Sequence, residues 1–266
     1  MGGLNHFHWA LKIIDKKTGK DLYTEIDKKI SQFDWQSDPL TPELYRLFGL
    51  ITYPAPSHPG EYLNFAYAIA GPKFIDWGIG SVAHKLSATG NDLDYIIEGK
   101  YNRPSYELWS QDQAIRIEKA IKGEIPLTDR EPMLNLSLTD PSRELMVPII
   151  CDIEFNMNKR ELAANVQNKG FAVENLPEDA IVEVPIQVDS KGVRPVKVGP
   201  LPEAIAGLCQ LQVSIQKLLI EAYSERSKEI LLQALAIDPI IDDLGKAREL
   251  METMLKVESD HLPEMK

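Results

Sequence analysis

The end of the chain constrains the fold most. At residues 202–223, 227–237 and 243–257, Leu, Ile and Ala recur at helical spacing, so this region predicts three amphipathic helices. Strands precede them at 161–166, 181–188 and 193–198, the last two joined by Asp189-Ser-Lys-Gly192, a hairpin loop. No low-complexity linker and no fixed-period repeat separates strands from helices. The expected fold class is therefore α+β, with mixed or antiparallel sheets and long C-terminal helices, in one domain over residues 1–266.

The rest is more broken. Residues 6–14 read as a strand and 15–20 as a turn rich in polar residues and Gly, after which helical spacing resumes at 22–30. Prolines at 39, 42, 54, 56 and 59 confine a short helix to 41–50 and stiffen the loop after it. A helix at 61–70 follows. Glycines at 71, 78, 80 and 90 interrupt every apolar run in 71–100, which reads as loop and short helix. Ser110 opens a helix as its N-cap, with Asp112 in the first turn and Gly123 at its end, and another helix spans 142–150.

With 44% hydrophobic residues, the 266-residue chain can bury a sizeable core. No run approaches the roughly 18 apolar residues of a membrane span, and the first residues lack the order of a signal peptide, so the cytoplasm is the expected compartment. A formal charge of −11 with no basic stripe argues against nucleic acid as a partner. Cys151 and Cys209 are too few for a disulfide framework and read as reduced, buried thiols. Cys151, after an apolar run, reads as a small core residue rather than a thiolate ligand.

His6 and His8 would point the same way on one strand and could together hold a divalent metal. The plainer alternative is one buried, hydrogen-bonded histidine beside an exposed one. Ser57-His58-Pro-Gly-Glu61-Tyr62 is the richest polar cluster: a histidine, a carboxylate and a phenol on a rigid loop opening a helix. Tyr62 can act as a base only where a cation lowers its pKa from about 10; otherwise it packs with Phe65 and Tyr67. Asn165-Val-Gln-Asn-Lys-Gly170 fits a sugar-binding loop or an ordinary tight turn, and the Met251, Met254, Leu255 stripe is core or interface.

Taken together, these motifs resemble glycoside hydrolase family four over nearly the whole chain. Gly3-Leu-Asn5-His6 is similar to the family segment whose histidine ligates the catalytic manganese, and His58-Pro-Gly-Glu61-Tyr62 is similar to its His-x-x-Glu-Tyr stretch. Trp109-Ser110, residues 165–170 and 175–185, Gly199-Pro-Leu-Pro-Glu203, Ala236-Ile-Asp-Pro239 and His261-Leu-Pro263 match later segments in order and spacing.

The resemblance implies a lactate-dehydrogenase-like C-terminal domain and a glycosidase that uses NAD and Mn2+. In that chemistry the sugar C3 hydroxyl is oxidised, a base removes the C2 proton, the C1 substituent leaves, water adds and the hydride returns. It assigns His6 to the metal and Tyr62 to the C2 proton, with Asn5, His58 and Glu61 as substrate-binding residues. The family's nucleotide-binding domain, its metal-binding cysteine and its catalytic acid fall upstream of residue 1. The expected partners are thus a sugar, a separate nucleotide-binding domain and further copies in a homo-oligomer. Phosphosugar members carry an arginine after the tyrosine, and no arginine occurs between Arg46 and Arg103, which favours an unphosphorylated α-glycoside or uronide. The competing readings are a non-catalytic remnant or oligomerisation module, and the substrate domain of a 2-hydroxy-acid dehydrogenase.

Overall fold

Val182, Val184, Ile186 and Val188 alternate with Glu183, Pro185, Gln187 and Asp189, the period of two that sends successive side chains to opposite faces of a strand. In the computed structural model, which describes residues 1–32, 40–53, 57–60, 62–70, 114–129, 137–140 and 144–266, this run is the strand Ile181–Asp189, and the four aliphatic side chains are fully buried.

It is β5 of a sheet whose other strands are β1 Gly2–Leu4, β2 Phe7–Trp9, β3 Thr52–Tyr53, β4 Lys159–Gln167 and β6 Gly192–Pro195. Among the described residues the order is β3-β2-β1-β5-β4, with β6 also paired to β5, and every pairing is antiparallel. One face carries Leu4, Phe7, Trp9, Val182 and Val184. These pack in one core with Ile205, Cys209 and Val213 of the long helix α6 Glu203–Glu225. Each large side chain so buried contributes about 1.5–3 kcal/mol. Burial also pushes the Cys209 thiol up to about 12.

The helices before α6 are α1 Tyr23–Lys29, α2 Leu40–Phe48, α3 Ser57–Gly60, α4 Ala66–Ala70 and α5 Met146–Glu154; after it come α7 Lys228–Ile237 and α8 Leu244–Val257. The expected tail helices form within two residues of the predicted ends. Ser227 Oγ accepts from the Ile230 N–H at 3.3 Å and Asp243 Oδ1 from that of Lys246 at 2.8 Å; such caps contribute about 1 kcal/mol each.

The chain divides into two compact units, Met1–His84 with Pro148–Lys266, and Lys85–Val147. In the second unit residues 114–121 are helical, with Arg116 paired to Asp129. The caps assigned to that helix, Ser110 and Asp112, and the glycine-rich stretch 71–100 lie outside the described residues.

Three expectations are corrected. Residues 6–14 are not one strand: the chain reverses at Asn5-His6, because β1 must return alongside β2, and β2 ends at Trp9. The helix expected over 61–70 is confined, in the described residues, to Ala66–Ala70. Cys151 is half-buried rather than a core residue.

Candidate functional site

The β1–β2 hairpin closes through two residues, with Leu4 opposite Phe7, and His6 takes a left-handed backbone with φ 57°. That conformation is disfavoured for a residue with a Cβ. What holds it comes from β5: Glu183 Oε2 accepts the His6 backbone N–H at 3.1 Å. The same oxygen stands 2.8 Å from Nδ1 of the fully buried His8, although that nitrogen is not aligned as a hydrogen-bond donor. Burial by itself would raise the Glu183 carboxyl, but His8, the His6 N–H and the His6 imidazole together hold it below the usual carboxylate range.

Glycine makes this reach possible. Gly3 of β1 lies between His8 and Glu183 in the register, and its φ is 151°. A Cβ there would sit 2.4 Å from the Phe7 carbonyl oxygen and 2.6 Å from the His8 Cα. Asn165, Glu183, Gly3, His8 and Tyr53 form one cross-strand row on the face opposite the core. Asn165 adds a second tie to the turn, donating from Nδ2 to Asn5 Oδ1 at 3.0 Å.

His58, in α3, meets this corner from another part of the chain. Its ring centre lies 4.3 Å from that of His6, with the planes tilted by 43°. Burial, and then the charge of His6, lower the His58 pKa. Tyr62 arrives at the same corner from the apolar side. Its ring packs on Phe7, 4.6 Å between centres, against the main core.

Of the residues singled out in the sequence, Asn5, His6 and His58 are therefore brought together, and Tyr62 stands one residue further along β2, at Phe7. Glu61 lies outside the described residues. The idea that His6 and His8 share a face is overturned, because the left-handed turn leaves His6 exposed while His8 is enclosed by the sheet. One buried and one exposed histidine matches the plainer alternative in burial, but neither ring nitrogen of His8 makes the expected hydrogen bond. Asn168 is a brace rather than a ligand residue: it is fully buried, its Oδ1 accepts from Val173 N–H, and its Nδ2 faces the carbonyls of Val173, Leu176 and Pro177. Glu183 was missed, since an acid alternating with valines carries no local signal of a partner 177 residues away.

Among the described residues no group of three or more His, Cys, Asp or Glu side chains could hold a metal ion. His6 and His58 therefore fit as a two-nitrogen corner of a metal site, not as a full coordination shell.

Residues 1–241 match the model of the family 4 glycosyl hydrolase C-terminal domain. The chain belongs to that family. It is 31% identical over 272 residues to a maltose-6'-phosphate glucosidase of Clostridium acetobutylicum, covering 99% of this chain and 55% of that protein. It is 29% identical over 272 residues to an α-galactosidase of Bacillus subtilis, covering all of this chain and 55% of the relative. A solved 6-phospho-α-glucosidase from gut microorganisms, in complex with NAD and Mn2+, superposes with a TM-score of 0.68 at 28% identity, over 100% of this chain and 55% of that one. The chain thus spans about half the length of the relatives it matches. Family membership sets aside the 2-hydroxy-acid dehydrogenase alternative. Two of these three relatives are phosphoglucosidases by name, and the third is an α-galactosidase.

Proposed function

We propose that this chain is the substrate- and metal-facing domain of a cytoplasmic, NAD- and Mn2+-dependent glycosidase acting on a 6-phosphorylated α-glucoside. In this reading residues 1–266 form one functional domain that works with a nucleotide-binding domain and assembles as a homo-oligomer. The carrying observation is the corner at which Asn5, His6 and His58 converge, within a chain that matches the family model over residues 1–241.

When bound, NAD supplies a reversible oxidation at the sugar ring and Mn2+ a Lewis acid for its oxygens. His6 offers its exposed imidazole to that metal. The left-handed turn, clamped by Glu183, fixes where the ring stands. Asn5 and His58 donate hydrogen bonds that orient sugar hydroxyls, and by family resemblance Glu61 accepts one from a sugar hydroxyl. Tyr62 accepts the C2 proton at its phenolic oxygen; a neighbouring cation is required, because an unperturbed phenol with a pKa of about 10 is almost wholly protonated at neutral pH. Phe7 packs one face of the Tyr62 ring and limits the directions from which its oxygen can approach.

The test is hydrolysis of nitrophenyl α-glucoside, α-galactoside and α-glucoside 6-phosphate by the purified chain with NAD, Mn2+ and reductant, with and without a family nucleotide-binding domain. The expected result is turnover of the phosphorylated glucoside only in the complemented mixture. Turnover of the α-galactoside alone would refute the substrate class. Silence in a folded, associated complex would refute the catalytic reading and favour an oligomerisation module.

A further inference from the structure

We propose that this chain carries a second ligand site, separate from the histidine corner, for a phosphate monoester with a compact apolar body. Lys12, Lys16, Arg160 and Lys197 line a cavity of about 620 Å3, a volume within the range of small-molecule sites. These cations come from three parts of the chain: the segment after β2, the start of β4 and the residues after β6. Val196 N–H donates to the Pro185 carbonyl at 2.8 Å, which brings Lys197 to the cavity. The sequence therefore shows no basic stripe, while the fold gathers four positive groups on a chain of formal charge −11. Like charges drawn together repel, and a bound dianion removes that cost.

No carboxylate already does so. Among the described residues none of the four cations forms an ion pair. Glu161, the acid in the lining, stands against the carboxylate of buried Asp152, and burial, then Asp152, raise its pKa. Asp15 accepts from Lys17 and Thr18 in its own turn. The cavity also has an apolar wall, with buried Pro185 and, at its rim, Leu162, which is 74% exposed. Leu162 falls where the pairing of β4 with β5 slips, between Glu161 and Ala164. Such irregularities re-aim side chains and are frequent beside binding sites. Arg160 offers phosphate a planar pair of donors, the lysines offer point charges, and Leu162 and Pro185 meet the ligand's body.

His6 closes one end of the β1–β2 hairpin, whereas Leu11 and Lys12 lie past its other end. Five extended residues separate the two sites by roughly 15 Å, further than a phosphate on one sugar ring reaches. The second site thus goes beyond the glycosidase reading and does not depend on it.

The test follows N–H NMR signals of the full chain as inorganic phosphate or phenyl phosphate is added. Both should give saturable shifts at Arg160, Leu162 and Lys197 and none at Asn5 and His6. Phenyl phosphate should bind about tenfold more tightly, because its ring is taken out of water. Arg160→Gln and Lys197→Gln, both at exposed positions, should each weaken both ligands by about tenfold, and Leu162→Ser should weaken phenyl phosphate alone. Shifts at Asn5 and His6 only, with affinity unchanged in Arg160→Gln, would put phosphate at the histidine corner; they would overturn the inference and leave the glycosidase reading intact. No saturable binding would overturn it outright, and phenyl phosphate no tighter than phosphate would overturn the ligand class. The wild-type shifts decide the location even if a variant fails to fold.

Discussion

Two hairpins of one sheet reverse the chain through two residues each, and they do so in opposite ways. In the β5–β6 hairpin, Asp189 stands opposite Gly192 and the positive φ of 99° falls on that glycine. Its Asp189 carboxylate is satisfied by near neighbours, Arg194 through both terminal nitrogens and the Lys191 N–H, while the Ser190 N–H donates to Asn156 Oδ1 at 3.1 Å. In the β1–β2 hairpin the left-handed position is occupied by His6, and the stabilising acceptor is Glu183. A turn that is only a turn puts its left-handed position on glycine and stores no strain there. A turn that presents a side chain tolerates a strained residue and is held from elsewhere in the fold.

The sharpest way to break this contrast is to empty the core under the strained hairpin. Trp9 is fully buried, and Trp9→Ala should cost about 3–5 kcal/mol in a urea melt. A loss below about 1 kcal/mol would show that the hairpin is not anchored by its apolar face.

Next comes the clamp. Glu183→Ala leaves the His6 N–H without its acceptor and takes away the carboxylate beside the buried His8, and about 2–3 kcal/mol should be lost at neutral pH. Glu183→Gln, which keeps an acceptor oxygen, should lose less than half of that. Equal losses in the two variants would mean that packing, not the acceptor, is what matters.

A smaller change runs the other way. His6→Gly makes the first hairpin resemble the second and should stabilise the chain by about 1 kcal/mol while removing one imidazole. A loss of stability would mean that the His6 side chain supports the fold and is not merely carried by it.

The smallest effect belongs to the surface ion pair. Hydrogen bonds from Arg194, and then from the Lys191 N–H, bring the Asp189 carboxyl down to about 2. Because this folded value lies below the unfolded one, the stabilisation is complete above the ordinary carboxylate pKa of about 4 and fades as the pH falls towards about 2. Thermal melts of Asp189→Asn should therefore differ slightly from wild type at pH 6 and converge with it near pH 2. A difference that widened in acid would contradict the assigned direction.

The contrast also explains what could be read in the sequence. The β5–β6 hairpin was legible because its signals are local: alternating aliphatic residues on both sides and a polar, glycine-ended loop between. The tail helices were legible for the same reason, with Ser227 and Asp243 marking their starts. The first hairpin was read as one continuous strand, since nothing in Asn5-His6-Phe7 announces a reversal. Its turn is stable only because Glu183 and Asn165 lie beside it in space. Tyr62 was readable as a candidate and as a packing residue, and its contact with Phe7 shows the packing directly.

Periodicity by itself determined the α+β class and the helical tail, because each is written within a few neighbouring positions, and the resemblance in motif order over nearly the whole chain pointed to the family and to His6, His58 and Tyr62 as residues to watch. Which histidine is exposed, which one faces His58 and which carboxylate holds the turn were decided only by tertiary structure. Those facts depend on strands 177 residues apart meeting across a glycine, and no local pattern encodes such a meeting.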